Sequence, residues 1–192
     1  MNLPNKLTVA RIILVPFFVA ALLINFPLNN LAALAIFAAA SITDLLDGKI
    51  ARKRGLVTDF GKFADPLADK ILVISALLCF VQLGFCDCVA VIVVLFREFA
   101  VTSIRLIAAS KGKVIAANIW GKVKTVTQMV AIICVLVMQI VLDIGELGVC
   151  LHCCLRCIFF FIGEGLIWVS TFFALLSGVI YVAQNKQFIS EK

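Results

Sequence analysis

A chain of 192 residues, 64% hydrophobic and 15% charged with a mean hydropathy of +1.16, departs from water-soluble domains, which run at about half apolar and a quarter charged. Disorder and a nucleic-acid partner are excluded on the same grounds. At about 20 residues per crossing, the length holds six membrane spans in one domain over residues 1–192, and the net charge of +6 must be read by position, because Lys and Arg mark the cytoplasmic side.

Six apolar stretches follow in order, over 8–25, 31–51, 66–84, 89–109, 122–142 and 164–183. None shows the alternation a lipid-facing barrel needs, so the predicted fold is an all-α integral membrane protein with six transmembrane helices. The first stretch opens with Pro4-Asn5-Lys6-Leu7-Thr8 and lacks a small-residue cleavage site, which reads as a retained helix rather than a signal peptide. With the N-terminus in the cytoplasm, the inside holds Lys6, Arg11, Lys49, Arg52, Lys53, Arg54, Lys62, Lys70, Lys111, Lys113, Lys122, Lys124, Lys186 and Lys192. Arg156 alone falls outside, and Arg97 and Arg105 lie within the fourth span. Both termini are therefore predicted to be cytoplasmic.

Residues 147–163 are apolar but short and carry His152 and Arg156, which suits an interfacial or re-entrant piece. A seventh span there would push Lys186 and Lys192 outside, against the charge rule. Six of the eight cysteines, Cys86, Cys88, Cys150, Cys153, Cys154 and Cys157, map to the outer side. They read first as apolar filler, with disulfides or a zinc site as alternatives.

The chemistry-bearing residues lie at the inner end. Asp44 and Asp47 close the second span at i, i+3 spacing, and Asp65 and Asp69 open the third at i, i+4. On helices each pair shares one face, and antiparallel neighbours joined by the 13-residue basic connection would bring all four to one point. Four converging carboxylates repel, and each costs roughly 2.5–3.5 kcal/mol at the centre of a span. A hard divalent cation, Mg²⁺ or Mn²⁺, relieves both; the alternative is simple pairing with neighbouring Lys and Arg. Gly48 and Gly61 leave room for close approach of a ligand, and the Arg52 guanidinium suits phosphate.

Asp44-Leu-Leu-Asp47-Gly48-Lys-Ile-Ala51-Arg52, eight residues, then Gly61-Lys-Phe-Ala-Asp65-Pro-Leu-Ala-Asp69 resembles the signature of the CDP-alcohol phosphotransferases at every signature position. The resemblance implies a six-helix membrane enzyme with two metal ions held by Asp44, Asp47, Asp65 and Asp69, the first and third bridging. It further implies Asp69 as general base, Gly48, Ala51, Arg52 and Gly61 around the CDP group, and a homodimer.

The acceptor has to be read elsewhere. Arg97, Glu98 and Arg105 lie in the fourth span, where ionisable residues are functional candidates by default, and a separation of eight residues lets both arginines face one side. Lys122 and Lys124 open the fifth span at the inner face. Together these cations suit an acceptor that carries phosphate; a buried Arg97–Glu98 ion pair and ordinary positive-inside lysines are the structural alternatives. Arg97-Glu98-Phe-Ala-Val-Thr-Ser-Ile-Arg105, Gly121-Lys122-Val-Lys124-Thr125-Val-Thr-Gln128 and the opening Pro4-Asn5-Lys-Leu-Thr8-Val-Ala-Arg11 are similar to the bacterial branch of that family that uses glycerol phosphate. This resemblance covers about residues 1–140 and fades beyond. It implies transfer of a phosphatidyl group from CDP-diacylglycerol to sn-glycerol 3-phosphate with release of CMP, at the cytoplasmic face of a bacterial cell membrane whose lipids surround the enzyme. Arg97, Arg105, Lys122 and Lys124 would hold the acceptor phosphate. Asn5, Thr8 and Arg11 line the same cavity, or Asn5 and Thr8 cap the first helix.

The rivals are the same chemistry with serine, inositol phosphate or phosphatidylglycerol as acceptor, and a divalent-cation transporter. The transporter would place further acids deep in the spans, where only Glu98 lies.

Overall fold

A computed structural model describes the backbone over residues 3–54, 59–110, 118–144 and 149–186, and the side chains of 7–43, 67–68, 70–110, 118–143 and 154–186. The described chain is helical throughout: α1 (Leu3–Leu23), α2 (Asn29–Arg54), α3 (Asp59–Gln82), α4 (Cys88–Ser110), α5 (Ile119–Ile144) and α6 (Val149–Gln184). All six predicted spans coincide with helices. α5 over Ile119–Asp143 and α6 over Cys154–Gln184 are each long and apolar enough to cross a membrane. Among the described residues Leu7–Leu23, Asn29–Thr43 and Lys70–Gln82 are further apolar helical stretches, and α4 carries Arg97 and Glu98 within its apolar run.

Two boundaries differ from expectation. The basic connection between the second and third spans is largely helix, since α2 continues to Arg54 and α3 starts at Asp59. Lys and Arg are good helix formers, so hydropathy marks the end of a span but not the end of a helix. Residues 149–163 form neither a separate surface piece nor a re-entrant turn. They are the first turns of a single 36-residue α6, about 54 Å long at 1.5 Å per residue and well beyond the roughly 30 Å of a bilayer core.

α1 packs against α2 and α3, α6 against α4 and α5, and α2 meets α5 to close the bundle. The core follows from small residues that let helices approach, Ala33, Ala40 and Ala76, interleaved with Phe18, Phe37 and Phe80. The rings of Phe18 and Phe37 lie 5.7 Å apart between α1 and α2. The turn after α3 is a Schellman closure, with Phe85 N–H donating to the Phe80 carbonyl and Gly84 N–H to that of Val81. Gly84 takes the φ of +79° that this closure needs. The carboxylate of Asp87 then caps α4 by accepting from Val89 N–H at 2.9 Å.

The outer surface is apolar, and polar groups are buried among the apolar core. Phe96 is 74% exposed, and Phe17, Phe99, Leu106, Phe161, Phe172 and Val179 also point outward. Thr8, Arg11, Lys124, Gln128, Ser170, Thr171 and Ser177 are buried. An apolar surface of this extent calls for an apolar surrounding.

Candidate active site

Asp44 and Asp47 lie on α2, and Asp65 and Asp69 on α3. Their helical backbone gives each pair the one-face spacing that the motif predicts. Their side chains, and those of Asn5, Gly48, Ala51, Arg52 and Gly61, are outside the described residues, so the convergence of the four acids is not part of the described geometry. As a donor set, four carboxylates at helical spacing provide only oxygen, which fits a hard divalent cation such as Mg²⁺.

The residue after Asp69 begins a polar cluster among the described residues. Glu98 of α4 is its hub, 12% exposed. Its Oε1 accepts from Arg97 Nη1 at 2.7 Å and from Lys124 Nζ of α5 at 2.8 Å, while Oε2 lies 3.7 Å from Lys70 Nζ of α3. Lys70 also donates to Thr102 Oγ1, and Thr102 in turn donates to the Glu98 carbonyl at 2.7 Å. α6 completes the arrangement: Ser177 Oγ accepts from Arg97 Nη2 at 2.7 Å and from Nε at 3.1 Å, and itself donates to the Ala174 carbonyl at 3.0 Å. Gly178 makes room for this arginine, since a Cβ there would sit 2.8 Å from Arg97 Cγ.

Three cations thus share one carboxylate, an excess of two positive charges among the described residues, with the Lys124 side chain only 9% exposed. Such an excess is costly in a low dielectric unless a counter-anion is present. It also makes a preorganised seat for one, because the cations are already fixed by neighbours. Two further donors lie nearby in the chain. Gln128 is one turn beyond Lys124 on α5, and Tyr181 one turn beyond Ser177 on α6. The Nε2 of the first and the hydroxyl of the second are buried without a hydrogen-bond partner among the described residues.

Of the four cations expected at the acceptor phosphate, the structure brings Arg97 and Lys124 together and leaves Arg105 and Lys122 exposed, outside the cluster. Helix geometry gives the reason. Eight residues at 3.6 per turn set Arg105 about 80° round from Arg97, and two residues put Lys122 about 160° from Lys124. The Arg97–Glu98 ion pair weighed from the sequence is present, and it coexists with the cation excess. Thr8 and Arg11 are both fully buried on α1, each with an interaction partner.

Sequence reasoning missed Lys70, Thr102, Ser177 and Gly178. Lys70 was assigned to the positive-inside set, and Ser177 and Gly178 lie where the motif resemblance had faded. The only available signal was that Ser177-Gly178 is a small polar pair within an apolar span, which favours close helix approach.

Comparison with known proteins extends past that fading point. The family model described as CDP-alcohol phosphatidyltransferase matches residues 1–176. A Bacillus subtilis (strain 168) protein named CDP-diacylglycerol–glycerol-3-phosphate 3-phosphatidyltransferase is 40% identical over 196 residues, covering 96% of this chain and 95% of its own. A Rickettsia bellii protein of the same name is 34% identical over 188 residues, covering 97% of each. A Mycobacterium tuberculosis (H37Rv) protein named probable phosphatidylglycerophosphate synthase is 45% identical over 134 residues, 68% of this chain and 64% of its own. With a complete signature on α2 and α3 and a match over most of its length, this chain belongs to the CDP-alcohol phosphatidyltransferase family.

Proposed function

We propose that the chain transfers the phosphatidyl group of CDP-diacylglycerol to sn-glycerol 3-phosphate, forming phosphatidylglycerophosphate and CMP. The observation that carries the choice of acceptor is the cation excess around Glu98. Among the described residues Arg97, Lys124 and Lys70 with Glu98 carry two net positive charges, matching the two negative charges of a phosphate monoester near neutral pH. Serine, which lacks phosphate, leaves that charge unmatched. Inositol phosphate would match it as well, and the names of the relatives favour glycerol phosphate over it.

In this reading the six helices cross the cytoplasmic membrane of a bacterium with both termini inside, and the site opens to the cytoplasm. Arg97 and Lys124 hold the acceptor phosphate from the side of α4 and α5, and Ser177 keeps the guanidinium turned toward it. Arg105 and Lys122, at the exposed rim, draw the anion in. Thr8 and Arg11, with Asn5, line the cavity. Asp69 accepts the proton of the attacking hydroxyl. That oxygen forms a bond to the phosphorus carrying diacylglycerol, the bond from this phosphorus to the bridging oxygen breaks, and CMP departs with the electron pair. Gly48, Ala51, Arg52 and Gly61 seat the CDP portion. Asp44, Asp47, Asp65 and Asp69 would hold two divalent cations, Mg²⁺ or Mn²⁺, which when bound supply charge neutralisation on the pyrophosphate. Lys70 follows Asp69 on α3 and is tied to Glu98, which puts the proposed base and the cluster next to each other in the chain.

The test is CMP release by the purified protein with CDP-diacylglycerol and Mg²⁺, offering glycerol 3-phosphate, serine or inositol phosphate. Release that requires glycerol 3-phosphate, stops with EDTA and is lost in Asp69→Asn is the expected result. Release with serine alone would overturn the assignment of the cation cluster; metal flux without CMP release would favour a transporter.

A further inference from the structure

A second polar site lies at the other end of the bundle. Asn30 and Asp44 are both on α2, and at 1.5 Å per residue they stand about 21 Å apart along its axis. Around Asn30 is a cavity of about 450 Å³ formed by the ends of α1, α2, α3, α5 and α6, a size typical of small-molecule sites. Its walls carry Asn25, Asn29, Gln139, Asp143 and Arg156, with apolar side chains such as Phe85 between them.

Two features of these walls point to a ligand. Asp143 and Arg156 line the same cavity, yet no ion pair joins them: the described partner of Asp143 is Asn30, whose Nδ2 donates to Oδ2 at 2.7 Å, and Arg156 pairs with no described residue. Opposite charges that share a cavity without meeting leave room for a group that touches both. The Asn30–Asp143 bond fixes one carboxylate oxygen and leaves the other lone pairs of Asp143 open to a further donor.

We propose that this cavity binds a phosphoethanolamine group, a phosphate followed within a short chain by a primary ammonium. The Arg156 guanidinium takes the phosphate, and Asp143 takes the ammonium. Among the described residues the walls of the cavity carry one carboxylate and one guanidinium, which complement a zwitterion better than an anion of the same size. Its asparagines supply acceptors that a primary ammonium can use and a quaternary one cannot. Both a phospholipid headgroup and the free phosphomonoester present this chemistry. The site stands apart from the transferase reaction and does not depend on its assignment.

Native mass spectrometry of the purified full chain tests the proposal, with short-chain phosphatidylethanolamine, phosphatidylcholine and phosphatidylglycerol, and with free phosphoethanolamine as competitor. Phosphatidylethanolamine is expected to be retained over phosphatidylcholine by about fivefold or more, the scale of one charge-assisted hydrogen bond. That preference should vanish in Arg156→Gln and in Asp143→Asn. The second variant keeps an acceptor for Asn30 and guards against misfolding. CMP release, read at the far end, should stay within about twofold for Arg156→Gln, as for an exposed charge removed from the chemistry. Competition by free phosphoethanolamine assigns the site to the headgroup alone, and its failure to compete assigns it to the lipid; either upholds the proposal. Equal retention of the three lipids, or a preference unchanged in both variants, would overturn it.

Discussion

The two polar regions of this bundle use the same kinds of side chain to opposite effect. At one end Arg97, Lys124 and Lys70 gather on one carboxylate, with the guanidinium held again by Ser177. At the other end Asp143 and Arg156 line one cavity and leave each other alone. Among the described residues the first set is fixed in position and unbalanced in sum; the second balances in sum and its two charges do not pair with each other. Fixed, unbalanced charge in a low dielectric favours one anion strongly and in one orientation, which suits a reacting substrate. Balanced, unpaired charge favours a zwitterion and tolerates its absence, which suits a ligand that comes and goes.

Substitutions that separate the two ends sharpen this contrast, and the largest effect belongs to the base. Asp69→Asn should lower CMP release by about 10²–10⁴-fold, the usual contribution of a positioned general base, while circular dichroism shows an unchanged helix content. Next comes Lys124→Met. Removing one partner of a buried charge pair costs about 2–5 kcal/mol, so kcat/KM should fall by at least about 30-fold. The loss should appear in KM for glycerol 3-phosphate and not in KM for CDP-diacylglycerol; an equal rise in both would break the assignment of the cluster to the acceptor.

Gly178→Ala should act in the same direction more weakly, by about tenfold in the acceptor KM, because the added Cβ, 2.8 Å from Arg97 Cγ, must displace a packed side chain. Ser177→Ala, which leaves Arg97 in place and removes only its acceptor, should have a smaller effect than Gly178→Ala. Arg105→Gln and Lys122→Gln, both at exposed positions, should change the acceptor KM by less than about threefold at physiological salt and by less still at high salt.

The smallest effect is chemical. Burial first, then the nearby charges of Asp87, Glu164 and Cys88, push the Cys86 thiol up to about 12. At pH 8 it is held as the thiol, so maleimide should modify exposed Cys154 and Cys157 well before Cys86. Among the described cysteines none is in a disulfide. Rapid labelling of Cys86 would show that the turn between α3 and α4 opens in solution.

The helices themselves were legible because apolar periodicity and length are local properties. The sequence located every helix to within a few residues at most ends, and erred where charge and helix propensity part company. Arg52-Lys53-Arg54 ended a span without ending α2, and the Cys- and Phe-rich run over 149–163 kept going as α6 because nothing in it breaks a helix. The signature acids were legible for a related reason, since i, i+3 and i, i+4 spacing is readable wherever the backbone is helical.

By itself, then, the sequence determined the family of the protein, its six helices and the helical spacing of its signature acids. Tertiary structure decided which cations act together. Arg97 and Lys124 meet on Glu98 while Arg105 and Lys122 do not, and Ser177 with Gly178, eighty residues along the chain from Arg97, sets the guanidinium in place. Only the packing of five helix ends brings Asn30, Gln139, Asp143 and Arg156 around one cavity. Spacing along a helix fixes the angle at which a side chain leaves it, but which side chains share a buried volume is set by how the helices cross, and in an apolar chain that is decided by small residues and shape rather than by a polar pattern.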